Sequence, residues 1–94
     1  MAARNTTLTV SGSTWTEITD GDVSSITFQV GSQKMWISAT SGATPTDRDG
    51  ALLYWPGQGE VNVALADLFP GVTGAVRVFA SGTYRTSEIM VSHA

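Results

Sequence analysis

Ile26-Thr27-Phe28-Gln29-Val30-Gly31-Ser32-Gln33-Lys34-Met35-Trp36-Ile37-Ser38-Ala39 contains two runs of alternating apolar and polar side chains, separated by a short glycine- and amide-bearing step. A β-strand sends successive side chains to opposite faces, so Ile26, Phe28 and Val30 share one face and Thr27 and Gln29 the other. By the same rule Met35, Ile37 and Ala39 share a face, and Trp36 and Ser38 point away from it. The spacing predicts two strands joined as a hairpin through Gly31-Ser32-Gln33.

The same period extends in both directions. Toward the amino terminus, Leu8 and Val10 flank Thr9 in a first strand expected over residues 6–11. Residues 15–19 follow as a less regular β-favouring stretch, and Asp20-Gly21-Asp22 then supplies turn chemistry. Toward the carboxyl terminus, residues 41–50 combine glycine, proline, hydroxyls and an Asp-Arg-Asp triplet, which predicts a long exposed loop. A strand over residues 51–55 ends at Pro56-Gly57-Gln58-Gly59, where proline cannot donate to a ladder and glycine permits a tight reversal. Val61, Val63 and Leu65 resume the alternation, residues 66–69 read as one helical turn before Pro70-Gly71, and Val76, Val78 and Ala80 precede a last strand carrying Ile89 and Val91.

Roughly seven or eight short strands with no amphipathic helix define an all-β fold, a small antiparallel β-sandwich or barrel, with a jelly-roll-like arrangement favoured over an immunoglobulin-like one. Leu8, Val10, Ile26, Phe28, Val30, Ile37, Val63, Leu65, Val76, Val78, Ile89 and Val91 are the predicted core. Residues 8–94 are expected to form one domain, preceded by an extended amino-terminal arm over residues 1–7. A chain of 94 residues is too short to divide its core in two.

Composition narrows the function. Thirteen threonines and ten serines stand beside only 13 charged residues, 14% of the chain against roughly a quarter in ordinary soluble domains. Charge is what is depleted where protein meets protein. The net charge of −3 and five scattered basic residues argue against direct nucleic-acid binding. No apolar run approaches the roughly 18 residues of a membrane span, and the amino terminus lacks the apolar stretch of a signal peptide, which predicts synthesis in the cytoplasm and no membrane partner. With no cysteine there is no disulfide, thiolate ligand or thiol nucleophile.

Catalytic chemistry finds no set of residues to work with. The single histidine, His93, is the penultimate residue, a poor place for a base. Asp20-Gly21-Asp22 and Asp47-Arg48-Asp49-Gly50 lack the spacing of a calcium loop and read as turns, and Gly57-Gln58-Gly59-Glu60 is too short for a dinucleotide fingerprint. No enzymatic activity, cofactor or metal is expected. The aromatics carry more information, because Trp15, Trp36, Trp55, Tyr54 and Tyr84 exceed what one small core hides. Strand parity turns Trp36 outward, where an indole suits a protein interface or a sugar-stacking platform. The candidate partner-binding residues are Ala2, Ala3, Arg4, Asn5, Thr6 and Thr7 of the arm, together with Trp36, Trp55 and Tyr84.

Taken in order, Ile26-Thr27-Phe28-Gln29, Gly50-Ala51-Leu52, Pro56-Gly57-Gln58-Gly59-Glu60, Leu65-Ala66-Asp67-Leu68-Phe69-Pro70-Gly71-Val72, Arg77-Val78-Phe79-Ala80 and Val91-Ser92-His93-Ala94 give the chain a resemblance to small structural proteins of tailed-bacteriophage virions. The resemblance covers most of the chain, and its most specific block runs from Leu65 to Val72. It implies a virion component made in the host cytoplasm, foremost a capsid decoration or cement protein that binds the major capsid protein on the head surface and stabilises the shell, alone or as a homo-oligomer. It brings no catalytic residues. The alternative it implies is a head- or tail-fibre or spike component that binds host carbohydrate through Trp36, Trp55 or Tyr84.

Overall fold

The alternating runs become eight strands: β1 (Arg4–Val10), β2 (Thr16–Glu17), β3 (Ser25–Val30), β4 (Met35–Thr40), β5 (Leu52–Tyr54), β6 (Gly59–Ala64), β7 (Arg77–Gly82) and β8 (Ser87–His93). One helical turn, α1 (Leu65–Leu68), lies between β6 and β7. The computed structural model describes residues 3–83 and 85–94 and arranges the strands in two antiparallel sheets. Sheet A has the order β1-β8-β3-β6 and sheet B the order β2-β7-β4-β5. The fold is therefore an all-β sandwich, as the alternation predicts.

The core lies between the sheets. From sheet A it takes Val10, Ile26, Phe28, Val30, Ile89 and Val91, and from sheet B Met35, Ile37, Ala39, Tyr54, Val78 and Ala80. Phe28 and Tyr54 meet edge to face across the gap, ring centroids 5.0 Å apart and planes at 81°. Ile18, Val23, Leu65 and Phe69 close the ends from loops and from α1, which is held by Leu65 N–H donating to the Ser24 carbonyl and Phe69 N–H donating to the Leu65 carbonyl. Of the predicted core, Leu8 and Val63 are half-buried and pack against this cluster, and Val76 is half-buried.

Two expectations need correction. The hairpin through Gly31-Ser32-Gln33 does not form: β3 lies in sheet A between β8 and β6, and β4 lies in sheet B between β7 and β5. Alternation specifies which face of a strand is buried, not which strand lies beside it, and the step after Val30 carries the chain from one sheet to the other. The arm expected over residues 1–7 is, from Arg4 onward, part of β1, pairing residue by residue with β8 from Arg4 opposite His93 to Val10 opposite Ser87. Extended residues beside a seven-residue partner strand satisfy their backbone groups by pairing.

A bulge separates β3 and β6 into two registers. Phe28 pairs with Glu60 and Ile26 with Val63, so Thr27 faces two residues, Val61 and Asn62. Asn62 takes the left-handed conformation (φ 47°), and its N–H donates to Thr27 Oγ1 at 2.8 Å. The extra residue resets the alternation, which leaves Val61 85% exposed although its spacing from Val63 predicts burial.

Candidate functional site

The outward side chains of sheet A form a surface almost without charge. Asn5, Thr7 and Thr9 project from β1, Glu88, Met90 and Ser92 from β8, and Thr27 and Gln29 from β3. Glu88 is the single ionisable group among them. Register aligns them in cross-strand rows: Asn5 beside Ser92 beside Thr27, which bonds Asn62 across the bulge, and Thr7 beside Met90 beside Gln29. At a strand spacing of about 4.8 Å the first row spans about 14 Å of amide and hydroxyl groups. It borders an open cleft of about 640 Å³ that also reaches Ala3, Arg4, Ser25, His93 and Ala94. The side chains of Asn5, Ser25, Asn62 and Ser92 make no hydrogen bond to the described residues and are free to bond a partner.

Two inward residues at this end are fixed by hydrogen bonds. His93 is 8% exposed, and its Nε2 accepts the Asp20 N–H at 3.0 Å, which ties the end of β8 to the turn after β2. Its Nδ1 faces the Ala94 carbonyl at 3.3 Å, so the proton belongs on Nδ1. Arg4 donates through Nη1 to the Ile18 carbonyl at 3.1 Å. Both side chains clip β1 and β8 to the connection between β2 and β3.

Sheet B covers its own outer face. The loop over residues 41–50 leaves β4 beside Thr40, whose Oγ1 donates to the Ala43 carbonyl, and beside Arg77, whose Nη1 donates to the Gly42 carbonyl. It ends where Arg48 Nη2 donates to the Gly82 carbonyl at 3.3 Å. Those anchors stand at opposite ends of β7, and the outward residues between them, Phe79 and Ser81, are each only 3% exposed. Trp36 points outward, as its parity predicts, but is half-buried with the Arg48 guanidinium 5.6 Å from its ring centroid. A loop that exposes its own polar residues thus shields the face beneath it.

Trp55 stands differently. It is 52% exposed at the corner where β5 turns toward β6, with Lys34 Nζ 4.7 Å from its ring centroid. Continuing the register of Met35 with Tyr54 by one residue sets Lys34 opposite Trp55. Beneath it, Tyr54 is buried and donates from its hydroxyl to Glu60 Oε2 at 3.0 Å. Burial first, then the hydrogen bond and charge of Glu60, push this phenol well above the ordinary tyrosine range.

The structure therefore separates the sequence-predicted residues. Ala3, Arg4 and Asn5 meet at the cleft of sheet A, and Thr6 and Thr7 continue along the same edge strand; Trp36 lies on sheet B and Trp55 at the corner beyond it. Ala2 and Tyr84 lie outside the described residues. Ser92, Thr27, Gln29 and Asn62, which complete the polar rows, read in the sequence only as the outward half of an alternation, because nothing in one strand shows which strands will flank it. The aspartate pairs are occupied in the structure: Asp47 Oδ1 accepts the Asp49 N–H at 3.0 Å in an Asx turn, and Asp22 pairs with Arg77 at 2.8 Å. Among the described residues no three histidine, aspartate or glutamate side chains converge as a metal site would require. No protein-family model, curated protein or solved structure matches this chain.

Proposed function

We propose that this chain is a virion structural protein, a decoration or cement protein that binds the major capsid protein on the outside of a phage head and stabilises the shell. The observation that carries the reading is the contrast between the two outer faces: sheet B is shielded by the chain's own loop, whereas sheet A presents aligned amides and hydroxyls with one carboxylate among them. Depletion of charge is what the core of a protein–protein interface shows. We also read the strand order β1-β8-β3-β6 over β2-β7-β4-β5, with first pairing last inward to β4 with β5, as an eight-stranded jelly roll. The free edge of β1 extends the face, and a strand from a capsid subunit or a second copy of this chain can add to it. On this reading the protein is made in the host cytoplasm and sits on the capsid surface.

Bridging neighbouring subunits stabilises a shell because expansion must break the bridge as well. The test is to label the protein, mix it with shells lacking it and locate it by electron microscopy, with shell melting as the energetic readout. A Ser92→Asp variant places a carboxylate in the central row and leaves the Thr27–Asn62 bond of the bulge in place. It is expected to keep its thermal midpoint and lose attachment, whereas Trp36→Ala, beneath Arg48, is expected to attach normally. Label confined to tails or fibres, or shells that melt identically with and without the protein, refutes the proposal.

A further inference from the structure

The corner at Trp55 has features that attachment through sheet A does not use. Trp55-Pro56-Gly57-Gln58 is a type II turn, closed by Gln58 N–H donating to the Trp55 carbonyl at 3.0 Å, with proline second and Gly57 at φ 85°. Gln58 Oε1 accepts the Trp55 N–H at 2.9 Å. The turn is bonded to β3 from three directions: Gly57 N–H to the Val30 carbonyl, Val30 N–H to the Gln58 carbonyl, and Gln29 Nε2 to the Gly57 carbonyl. An indole this exposed is therefore mounted on a turn anchored by hydrogen bonds within itself and to β3.

Around it lies a shallow hollow of about 250 Å³ formed by Gln33, Lys34, Trp55 and Pro56. That is below the usual size of a site enclosing a drug-like molecule and suits a single sugar ring laid on the indole. Lys34 forms no ion pair and the Gln33 side-chain amide no hydrogen bond among the described residues, while the Gln33 backbone is held by its N–H donating to Ser87 Oγ at 3.1 Å. An aromatic platform, an unpaired ammonium at its face and a free amide beside it are the groups that a pyranose bearing a carboxylate would engage. The ring stacks on the indole, the carboxylate takes the ammonium, and the amide bonds a hydroxyl. The exposed cation–π contact is weak, so Lys34 leaves the ring readily for a carboxylate.

We propose that Trp55, Lys34 and Gln33 form a binding site for an acidic saccharide, a glycan carrying uronate or sialate units. The inference stands apart from shell attachment, since it uses neither the polar rows of sheet A nor any capsid contact. A neutral sugar would use the indole and leave the ammonium idle. Nucleic acid is a poor fit, because the chain is acidic overall and carries only five basic residues.

The test uses the intact protein. Tetragalacturonate, a hyaluronan tetrasaccharide and sialyllactose are titrated while the Trp55 indole N–H resonance and tryptophan fluorescence are followed, with fully methyl-esterified tetragalacturonate and cellotetraose as neutral controls. At least one acidic probe is expected to shift the Trp55 resonance saturably with a millimolar Kd, about tenfold tighter than the neutral controls. Trp55→Ala is expected to abolish binding, and Lys34→Gln to bring acidic and neutral probes to equal affinity, both without lowering the thermal midpoint. The proposal is overturned if no acidic probe moves the Trp55 resonance, if neutral and acidic probes bind alike to the unaltered protein, or if Trp55→Ala binds undiminished.

Discussion

Replacing Phe28 by alanine probes the core at the point where the two sheets lock. Phe28 is 2% exposed in a strand flanked by β8 and β6, and its ring meets Tyr54 of the opposite sheet at 5.0 Å. Truncating a buried phenylalanine costs about 3–5 kcal/mol, the transfer free energy of the lost atoms plus the cavity left where packing cannot collapse. A rigid strand on either side argues for the upper half of that range. A domain of this size has a total stability of roughly 5–14 kcal/mol, so the substitution removes between a quarter and nearly all of it. In a thermal melt this corresponds to a fall of roughly 15–30 °C. Urea unfolding followed by circular dichroism measures it, with Val61→Ala, at an 85% exposed position, as the control expected to change stability by less than about 0.5 kcal/mol. A double-mutant cycle of Phe28→Leu with Tyr54→Leu isolates the edge-to-face contact, expected at about 0.5–1.5 kcal/mol. If Phe28→Ala costs no more than Val61→Ala, or if the cycle shows no coupling, the register placing Phe28 against the opposite sheet is wrong.

Gly59→Ala is expected to destabilise by about 3 kcal/mol or more, because a β-carbon there collides with the Phe28 carbonyl oxygen and comes within 2.8 Å of Gln29 Cα, forcing β6 away from β3. Gly71→Ala, whose β-carbon meets nothing within 4 Å, should be neutral or slightly stabilising, and equal denaturation midpoints for the two variants would discard the strand pairing. The raised Tyr54 phenol makes stability fall in alkali: the unfolded chain loses this proton near pH 10 while the folded chain retains it, so the contribution is complete below about pH 10 and is lost above it. Tyr54→Phe should flatten that decline in urea midpoints measured against pH, and parallel curves for the two proteins would refute the buried Tyr54–Glu60 bond.

The face of each strand was legible in the sequence because burial is decided locally, by alternation. Phe28, Val30, Ile37, Val78, Ile89 and Val91 are all buried for the reason their spacing states. Alternation fails where the backbone inserts a residue. The left-handed turn at Asn62 sends Val61 to solvent, and asparagine's tolerance of that conformation is a local signal visible only once the opposing Thr27 is known. Pairing was less legible, because it depends on contacts between distant segments. Residues 4–7 carry too few apolar side chains to announce burial, yet β8 holds them through backbone bonds that any sequence without proline can make. Ile18, Val23 and Phe69 entered the core from irregular segments, where no period exists to mark them.

The candidate sites show the same division more sharply. Parity turned Trp36 outward correctly, but outward is not the same as exposed, since the loop over residues 41–50 is held across sheet B by Arg77 and Arg48 and shields what lies beneath. Nothing in the composition of that loop, which is polar and unfit for a core, distinguishes a segment that hangs free from one laid over a sheet. Trp55 is the converse. Its run, Ala51 to Trp55, reads as a strand, and only the number of aromatics made Trp55 a candidate; its exposure comes with the Pro56-Gly57 turn that halts the strand one residue early, at Tyr54. Sheet A had no single residue to mark it, because threonine, serine, asparagine and glutamine on alternate positions are what any half-solvated strand carries. It becomes a candidate interface only when strands widely separated in the sequence are set side by side and their outward positions prove to hold a single charge between them. A property distributed over three strands is fixed by topology, and topology is what a period of two leaves open.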